Sequence, residues 1–238
     1  MSKRALVSRR HALAGIAALA ALGPTRAFAG GTCSVIDQTT RQCTVGLQIG
    51  VETVRQRCEN WCWAACIQAI FALHSYDIPQ EAIVEKLFGD GSVCAPANDA
   101  AIVAAIDGGW IDMSGNQFSA YGQVMPLAAM GVSSSQSSDS DPLNLALNMT
   151  GRMFASQDIE AMLTELANNN PLIIGRMGDA IGHAMVLTAA SFIQRTDGTI
   201  YLTELIVRDP WPGSPNRRRL SGDEIRETFT VIKVHVQA

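Results

Sequence analysis

Basic side chains are scarce in this sequence and unevenly placed. The formal net charge is −4, and the first 29 residues hold five basic and no acidic side chains, so the rest of the chain carries −9. Nucleic-acid binding draws its affinity from basic surface that neutralises phosphates, which argues against nucleic acid as a partner. Long apolar runs are missing as well. The stretch from Ala12 to Leu22 covers eleven residues, well short of the roughly 20 that a membrane-spanning helix needs. The Cys-x-x-Cys pairs that dominate zinc and iron–sulfur sites do not occur, and there is no internal repeat. Histidine is rare: past the first thirty residues only His74, His183 and His235 remain. Any chemistry that needs an imidazole has these three to choose from.

What is present begins with a targeting segment. Lys3, Arg4, Arg9 and Arg10 form a basic n-region, Ala12 to Leu22 the apolar run, and Ala27-Phe28-Ala29 a small-x-small cleavage site. Residues 8–13 are close to the twin-arginine pattern, and Arg26 behind the apolar run is a flank that general secretion disfavours. Removal of residues 1–29 as a signal peptide leaves 209 residues, enough for one compact unit of two lobes. The expected product is exported, periplasmic or secreted, and free of the membrane. Export puts the six cysteines, Cys33, Cys43, Cys58, Cys62, Cys66 and Cys94, where disulfides persist. If one is a reactive thiol, an odd number is left and another stays unpaired.

Residues 44–54 alternate Val45, Leu47, Ile49 and Val51 with polar neighbours, the period of a half-buried strand. Before it, residues 30–43 read as an extension whose polar loop Cys33 and Cys43 bracket. From Trp61 to Leu73 nearly every residue is apolar, Gln68 excepted, which predicts a helix buried on most sides. Shorter helices are expected over 79–88 and 98–107, and the polar run 133–141 is expected to be a surface loop between lobes. A helix from Ser156 and strands over 172–177, 183–194, 199–207 and 229–236 follow. Helices at about 55–130 and an antiparallel sheet at about 150–238 make the fold class α+β. The basic cluster Arg217-Arg218-Arg219 is expected in a solvated loop.

The strongest local signal is Gln56-x5-Cys62-Trp63, with the cysteine opening the buried helix. Unsatisfied N–H groups and the helix dipole at such a position stabilise negative charge on sulfur. The Cys62 backbone N–H and the Gln56 amide are candidate donors to a developing oxyanion. A nucleophilic cysteine needs a base. His74 lies about 18 Å down the same helix at 1.5 Å per residue, and His235 falls on the polar face of the last strand, leaving His183. The turn at 195–198 folds two strands together and brings residue 210 opposite His183, one step from Asp209. Asp209 is the candidate that orients the imidazole.

Gln-x5-Cys-Trp, Gly-His-Ala-Met-Val-Leu and Asp-Pro-Trp, in this order, resemble the active-site stretches of papain-like cysteine peptidases. Trp61-Cys62-Trp63-Ala64-Ala65 is similar to bacterial branches that include bacteriocin-processing and effector-type peptidases. The resemblance spans roughly residues 45–236. It implies a papain-like domain over 44–238, a cleft between two lobes, a peptide or protein substrate, and neither cofactor nor metal. It further implies an oxyanion role for Gln56, shielding of His183 and Asp209 by Trp211, substrate or shielding roles for Trp61 and Trp63, and a Cys58–Cys94 bridge. The orienting residue is Asp where plant members have Asn, and either side chain can accept the imidazole N–H. Acyl transfer or peptide binding on the same fold, and a metal or iron–sulfur site built from Cys58, Cys62, Cys66 and Cys94, are the rival readings. One outcome follows from the N-terminal segment alone: the intact mass of exported protein should correspond to a chain starting at Gly30, and retention of residues 1–29 would remove the export assignment.

Overall fold

The structure is a computed structural model that describes residues 31–125, 156–177 and 182–238. The proposed signal peptide with its Gly30 cleavage point and the polar run 133–141 lie outside these residues. Among the described residues the elements are strands β1 (Thr32–Val35) and β2 (Thr40–Gly46), then helices α1 (Cys62–Leu73), α2 (Gln80–Phe88) and α3 (Asp99–Ile106). The hairpin β3 (Gly108–Ile111) and β4 (Gln117–Val124) comes next, followed by α4 (Ser156–Ala167). The chain closes through β5 (Leu172–Met177), β6 (Gly182–Arg195), β7 (Ile200–Arg208), β8 (Arg217–Arg219), α5 (Gly222–Arg226) and β9 (Thr228–Gln237).

All nine strands join one antiparallel sheet, ordered β1-β2-β6-β5-β9-β4-β3, with β7 on β6 and β8 on β7. The long strand β6 organises it. Its first part pairs with β5, its last part with β2, and its other edge with β7. Both faces of the central strands are covered, which is why their sequences read as continuous apolar runs. Ile173, Ala184, Val186 and Ile232 pack toward α1, whereas Leu172, Ile174, Met185 and Leu187 pack with Ile159, Met162, Leu163 and Leu166 of α4. This is the α+β architecture expected from the sequence.

Helix α1 is buried along most of its length, with Ile67, Ile70 and Phe71 fully enclosed. Its polar residue Gln68 is not stranded: Gln80 Nε2 donates to Gln68 Oε1 at 2.9 Å and to the Arg55 carbonyl at 2.8 Å. Gln80 Oε1 accepts from the Arg57 N–H at 3.0 Å. One buried amide thus fixes the loop leading into α1 against α1 itself. Gly89 ends α2 at φ 75°, the left-handed position that glycine takes without strain.

The structure departs from expectation at three places. The strand placed at 44–54 runs over Thr40–Gly46 instead. Its later residues leave the sheet, and Ile49 is 56% exposed; the alternation of Leu47, Ile49 and Val51 therefore has no ladder behind it. The first lobe keeps its helices but includes a hairpin that the sequence did not announce: β3 and β4 carry Trp110, Phe118 and Ala120 into the α1 core, and β4 pairs with β9. Arg217-Arg218-Arg219 is a strand, paired with β7, and not a solvated loop.

Phe71 packs edge-on against Trp110 and Phe118, with centroids 5.1 Å and 5.0 Å away, and joins the hairpin to α1. Phe71→Ala should cost about 3–5 kcal/mol of unfolding free energy in a urea titration, and a loss within experimental error would show that this cluster does not hold the lobe together.

Candidate active site

The start of α1, the start of β6 and the segment after β7 converge at one end of the sheet. Cys62 is the first residue of α1, with Trp61 as the capping residue and no acidic side chain in the first turn. Its own N–H is among those a helix start leaves without an intrahelical partner, and no nearby carboxylate of that turn competes for them. The sulfur accepts the Ala184 N–H at 3.4 Å. Ala184 follows His183 on β6, so the backbone contact that seats the thiol also brings the imidazole to the cleft that both side chains line.

His183 Nε2 and Asp209 Oδ1 are 2.8 Å apart. With Nε2 committed to the carboxylate, Nδ1 is the nitrogen left to face sulfur. The strand register differs slightly from that expected from the turn. Bulges on β6–β7 shift it, pairing ends at Val186 with Arg208, and Asp209 reaches His183 from the segment beyond the ladder. Asp209 is only 1% exposed, yet its carboxylate is fully engaged. Oδ1 also accepts the Trp211 N–H at 2.9 Å, and Oδ2 accepts Arg218 Nε at 2.7 Å. Trp211 itself stands edge-on to the imidazole, with ring centroids 6.1 Å apart.

These contacts set the protonation states. Burial pushes the His183 imidazole down, but the hydrogen bond to Asp209, the neighbouring Cys62 side chain and the charges of both outweigh it and raise the pKa to about 9. Burial likewise works against the Asp209 carboxylate, and the hydrogen bonds from His183, Trp211 and Arg218 overcome it and hold the group well below the usual carboxylate range. The Cys66 thiol, one turn beyond Cys62, is pushed up by burial and further by the charges of Cys62 and Asp209.

Two arginines that the sequence did not single out hold this arrangement. Arg55 Nη1 donates to the carbonyls of Asp209 at 3.1 Å and Trp211 at 2.5 Å. Its Nη2 donates to the Ser214 carbonyl at 2.8 Å and to Asn216 Oδ1. Arg218 binds the carboxylate directly. A weak signal for it was available: alternation in a strand sets Arg218 on the face opposite to Arg217 and Arg219, and Ser221-x-x-Glu224 is a capping box that presents an acid nearby.

Gln56 is buried and hydrogen-bonded to the same loop, its N–H donating to the Pro210 carbonyl at 3.0 Å. Its Nε2 donates to the carbonyls of Cys58 at 3.0 Å and Glu59 at 2.7 Å, while Oε1 is buried without a partner. Both amide protons are thus engaged on the turn preceding Cys62. Trp61 and Trp63 are buried, and their indole N–H groups donate to the carbonyls of Val93 at 2.9 Å and Ala95 at 3.2 Å. They tie the 93–95 segment to α1. A disulfide between Cys58 and Cys94 joins the same two segments, and a second joins Cys33 to Cys43. Cys62 and Cys66 are free. Because Cys58 and Cys94 are bonded to each other, four thiolates are not available together for a metal or cluster.

A cleft of about 850 Å³ opens over the thiol and the imidazole. One wall comes from Trp63, Ala97 and Ile102, and the floor from Ala184, Gly175 and Thr230, which form one cross-strand row. Trp211 and Arg218 flank its other side. His235 lies opposite Tyr121 on β4 and does not line this cleft.

The fold and the thiol–imidazole pair in an open cleft belong to the papain-like class. The model of the family described as peptidase C39 like matches residues 48–231, and the chain belongs to that family. Among solved structures it is similar to a double glycine motif protease from an AMS/PCAT transporter in complex with the leader peptide. That likeness has 14% sequence identity and a TM-score of 0.39, and covers 81% of this chain and 97% of the other. No curated protein matches.

The imidazole supplies a test by pH. A folded pKa of about 9, against about 6.5 for an unfolded histidine, means that His183 contributes stability fully below about pH 6.5 and loses it as pH rises through about 9. The stability difference between the protein and its His183→Gln variant should be widest at the acid end of that window and narrow across it. A difference that stays constant from pH 6 to 10 would contradict the raised value.

Proposed function

We propose that the protein is a cysteine peptidase in which Cys62 is the nucleophile, His183 the acid and base, and Asp209 the group that orients the imidazole. The observation that carries this reading is that Cys62, His183 and Asp209 line one cleft with room for a peptide, with His183 bonded to Asp209 at 2.8 Å and the adjacent Ala184 N–H on the Cys62 sulfur at 3.4 Å. Two features support action outside the reducing cytoplasm: the disulfides and the signal-like residues 1–29.

Cys62 attacks as the thiolate, with His183 as the imidazolium. Cys62 Sγ attacks the carbonyl carbon of the scissile bond, and the oxygen takes the negative charge. The Cys62 N–H at the helix start is placed to receive it. Gln56 acts as the second donor by releasing one of its two carbonyl partners. As the C–N bond breaks, His183 gives its proton to the departing amine and leaves a thioester on Cys62. Water then attacks the thioester carbon, gives a proton to His183, and the carboxylic acid leaves with regeneration of the thiolate–imidazolium pair. Asp209 keeps its charge throughout, since its other contacts hold it ionised. Trp211 covers the outer side of the imidazole and limits water at the His183–Asp209 bond.

With a peptide library as substrate and mass spectrometry as readout, Cys62→Ala and His183→Ala should abolish cleavage, and Asp209→Asn should retain part of it. Gln56→Ala should lower turnover by about 10²- to 10³-fold if its amide reaches the oxyanion. A fall in melting temperature with turnover intact would confine it to holding the loop. Iodoacetamide under non-reducing conditions should label Cys62 and leave Cys66 untouched. Undiminished cleavage by Cys62→Ala would end the peptidase reading.

A further inference from the structure

We propose that Arg218 is a positioning residue for the reaction, acting through Asp209, and that Glu224 at the start of α5 holds Arg218 in place. The proposal rests on the reading of Cys62, His183 and Asp209 as the catalytic set. Its basis is a continuous path of contacts. His183 binds Asp209 Oδ1 at 2.8 Å, and Arg218 Nε binds Asp209 Oδ2 at 2.7 Å. Arg218 Nη1 and Nη2 then grip the two oxygens of Glu224 at 2.9 Å and 2.8 Å. Glu224 Oε1 also receives Arg176 Nη1 at 3.0 Å, and Arg176 is the cross-strand partner of His183. The path therefore returns to the strand pair where it began.

Each link has a local cause. Glu224 is fixed by the capping box, in which the Ser221 N–H donates to its Oε2 at 2.9 Å and the Ser221 hydroxyl accepts the Glu224 N–H at 3.2 Å. Arg218 is inserted by β8, whose pairing with β7 sets Arg218 opposite Val207, next to the segment bearing Asp209. The guanidinium is planar and presents its donors in a rigid fork, so gripping Glu224 with two nitrogens fixes the direction of the third toward Asp209. The charges alternate along the path from His183 to Arg176. With His183 protonated, the cations His183, Arg218 and Arg176 face the anions Asp209, Glu224 and Glu227, the last joined to Arg176 at 3.2 Å.

This arrangement does what a single His–Asp contact cannot. A carboxylate that is 1% exposed and held only by an imidazole would lose its charged partner whenever the imidazole gives up its proton. Arg218 keeps its full charge through that step, so Asp209 stays ionised and stays oriented while His183 cycles. The Arg55 contacts fix the backbone of the same segment, but they do not touch the carboxylate; beside the Trp211 N–H on Oδ1, orientation of the carboxylate falls to Arg218, which alone holds Oδ2 among the described residues.

The test is a double-mutant cycle read by iodoacetamide alkylation of Cys62 as a function of pH, with peptide mapping to confirm the labelled residue. The four proteins are wild type, Arg218→Gln, Asp209→Asn and the double variant. Arg218→Gln should slow alkylation near pH 6 by about tenfold and move the acid limb to higher pH, whereas the same change in the Asp209→Asn background should alter the rate by less than about twofold. Arg218→Lys, which keeps the charge but not the fork, should recover only part of the rate and takes the place of Arg218→Gln in the cycle if that variant does not fold. Additive effects in the two backgrounds, or a lowered melting temperature with an unchanged pH profile, would overturn the positioning role. Wild-type Cys62 alkylating no faster than a free thiol, and indifferent to His183→Ala, would instead bring down the catalytic reading on which the proposal rests.

Discussion

The site depends on one buried anion. Asp209 is almost completely removed from water, and an ionised carboxylate in that position is tolerable only if its oxygens are occupied by good donors. They are: an imidazole and a backbone N–H on one oxygen, a guanidinium on the other. From this the rest follows. The anion raises the imidazole, and the raised imidazole remains protonated at neutral pH. Desolvation, which alone would suppress charge on every member, is offset at each step by the next contact.

The surrounding architecture serves to bring that anion and the sulfur to the same end of the sheet. Helix α1 is driven into place by its apolar length, and the Gln80 amide secures the loop before it. Strand β6 carries Ala184, whose N–H meets the sulfur, one residue from His183. The segment after β7 is held by Arg55 through its carbonyls and by Gln56 through Pro210. Residues 55 and 56 therefore tie the cysteine side of the cleft to the aspartate side. The Cys58–Cys94 disulfide and the two buried indoles fix the opposite rim in the same manner.

Several of these features were legible in the sequence because they are local or periodic. The enclosed helix at 61–73 is marked by an unbroken apolar run, and the strands at 172–177, 183–194 and 199–207 by theirs. The exclusion of His74 needed only helical rise. Other features were not legible. The 44–54 alternation resembled a strand, but Gly46 lies so close to β6 that a Cβ there would come within 2.7 Å of Ala189, and the chain turns away soon after. The hairpin β3–β4 has too few residues of any one period to stand out, and its place is decided by pairing with β9 at the far end of the chain.

Arg218 marks the boundary most clearly. As one of three consecutive arginines its composition suggested solvent, and the triplet itself does not say which of its members turns inward until β8 has a partner. By itself the sequence determined the α+β class, the helix that opens on Cys62, and the candidate set Cys62, His183 and Asp209, because helix starts, hydrophobic period and turn position are properties of neighbouring residues. Only the tertiary structure decided which oxygen of Asp209 meets which donor, that Gln56 faces the turn before α1, and that Arg218 points inward. Those outcomes depend on pairing β8 with β7 and packing α5 beside it, where the free energy of burying a carboxylate can be met only by a cation brought from another strand.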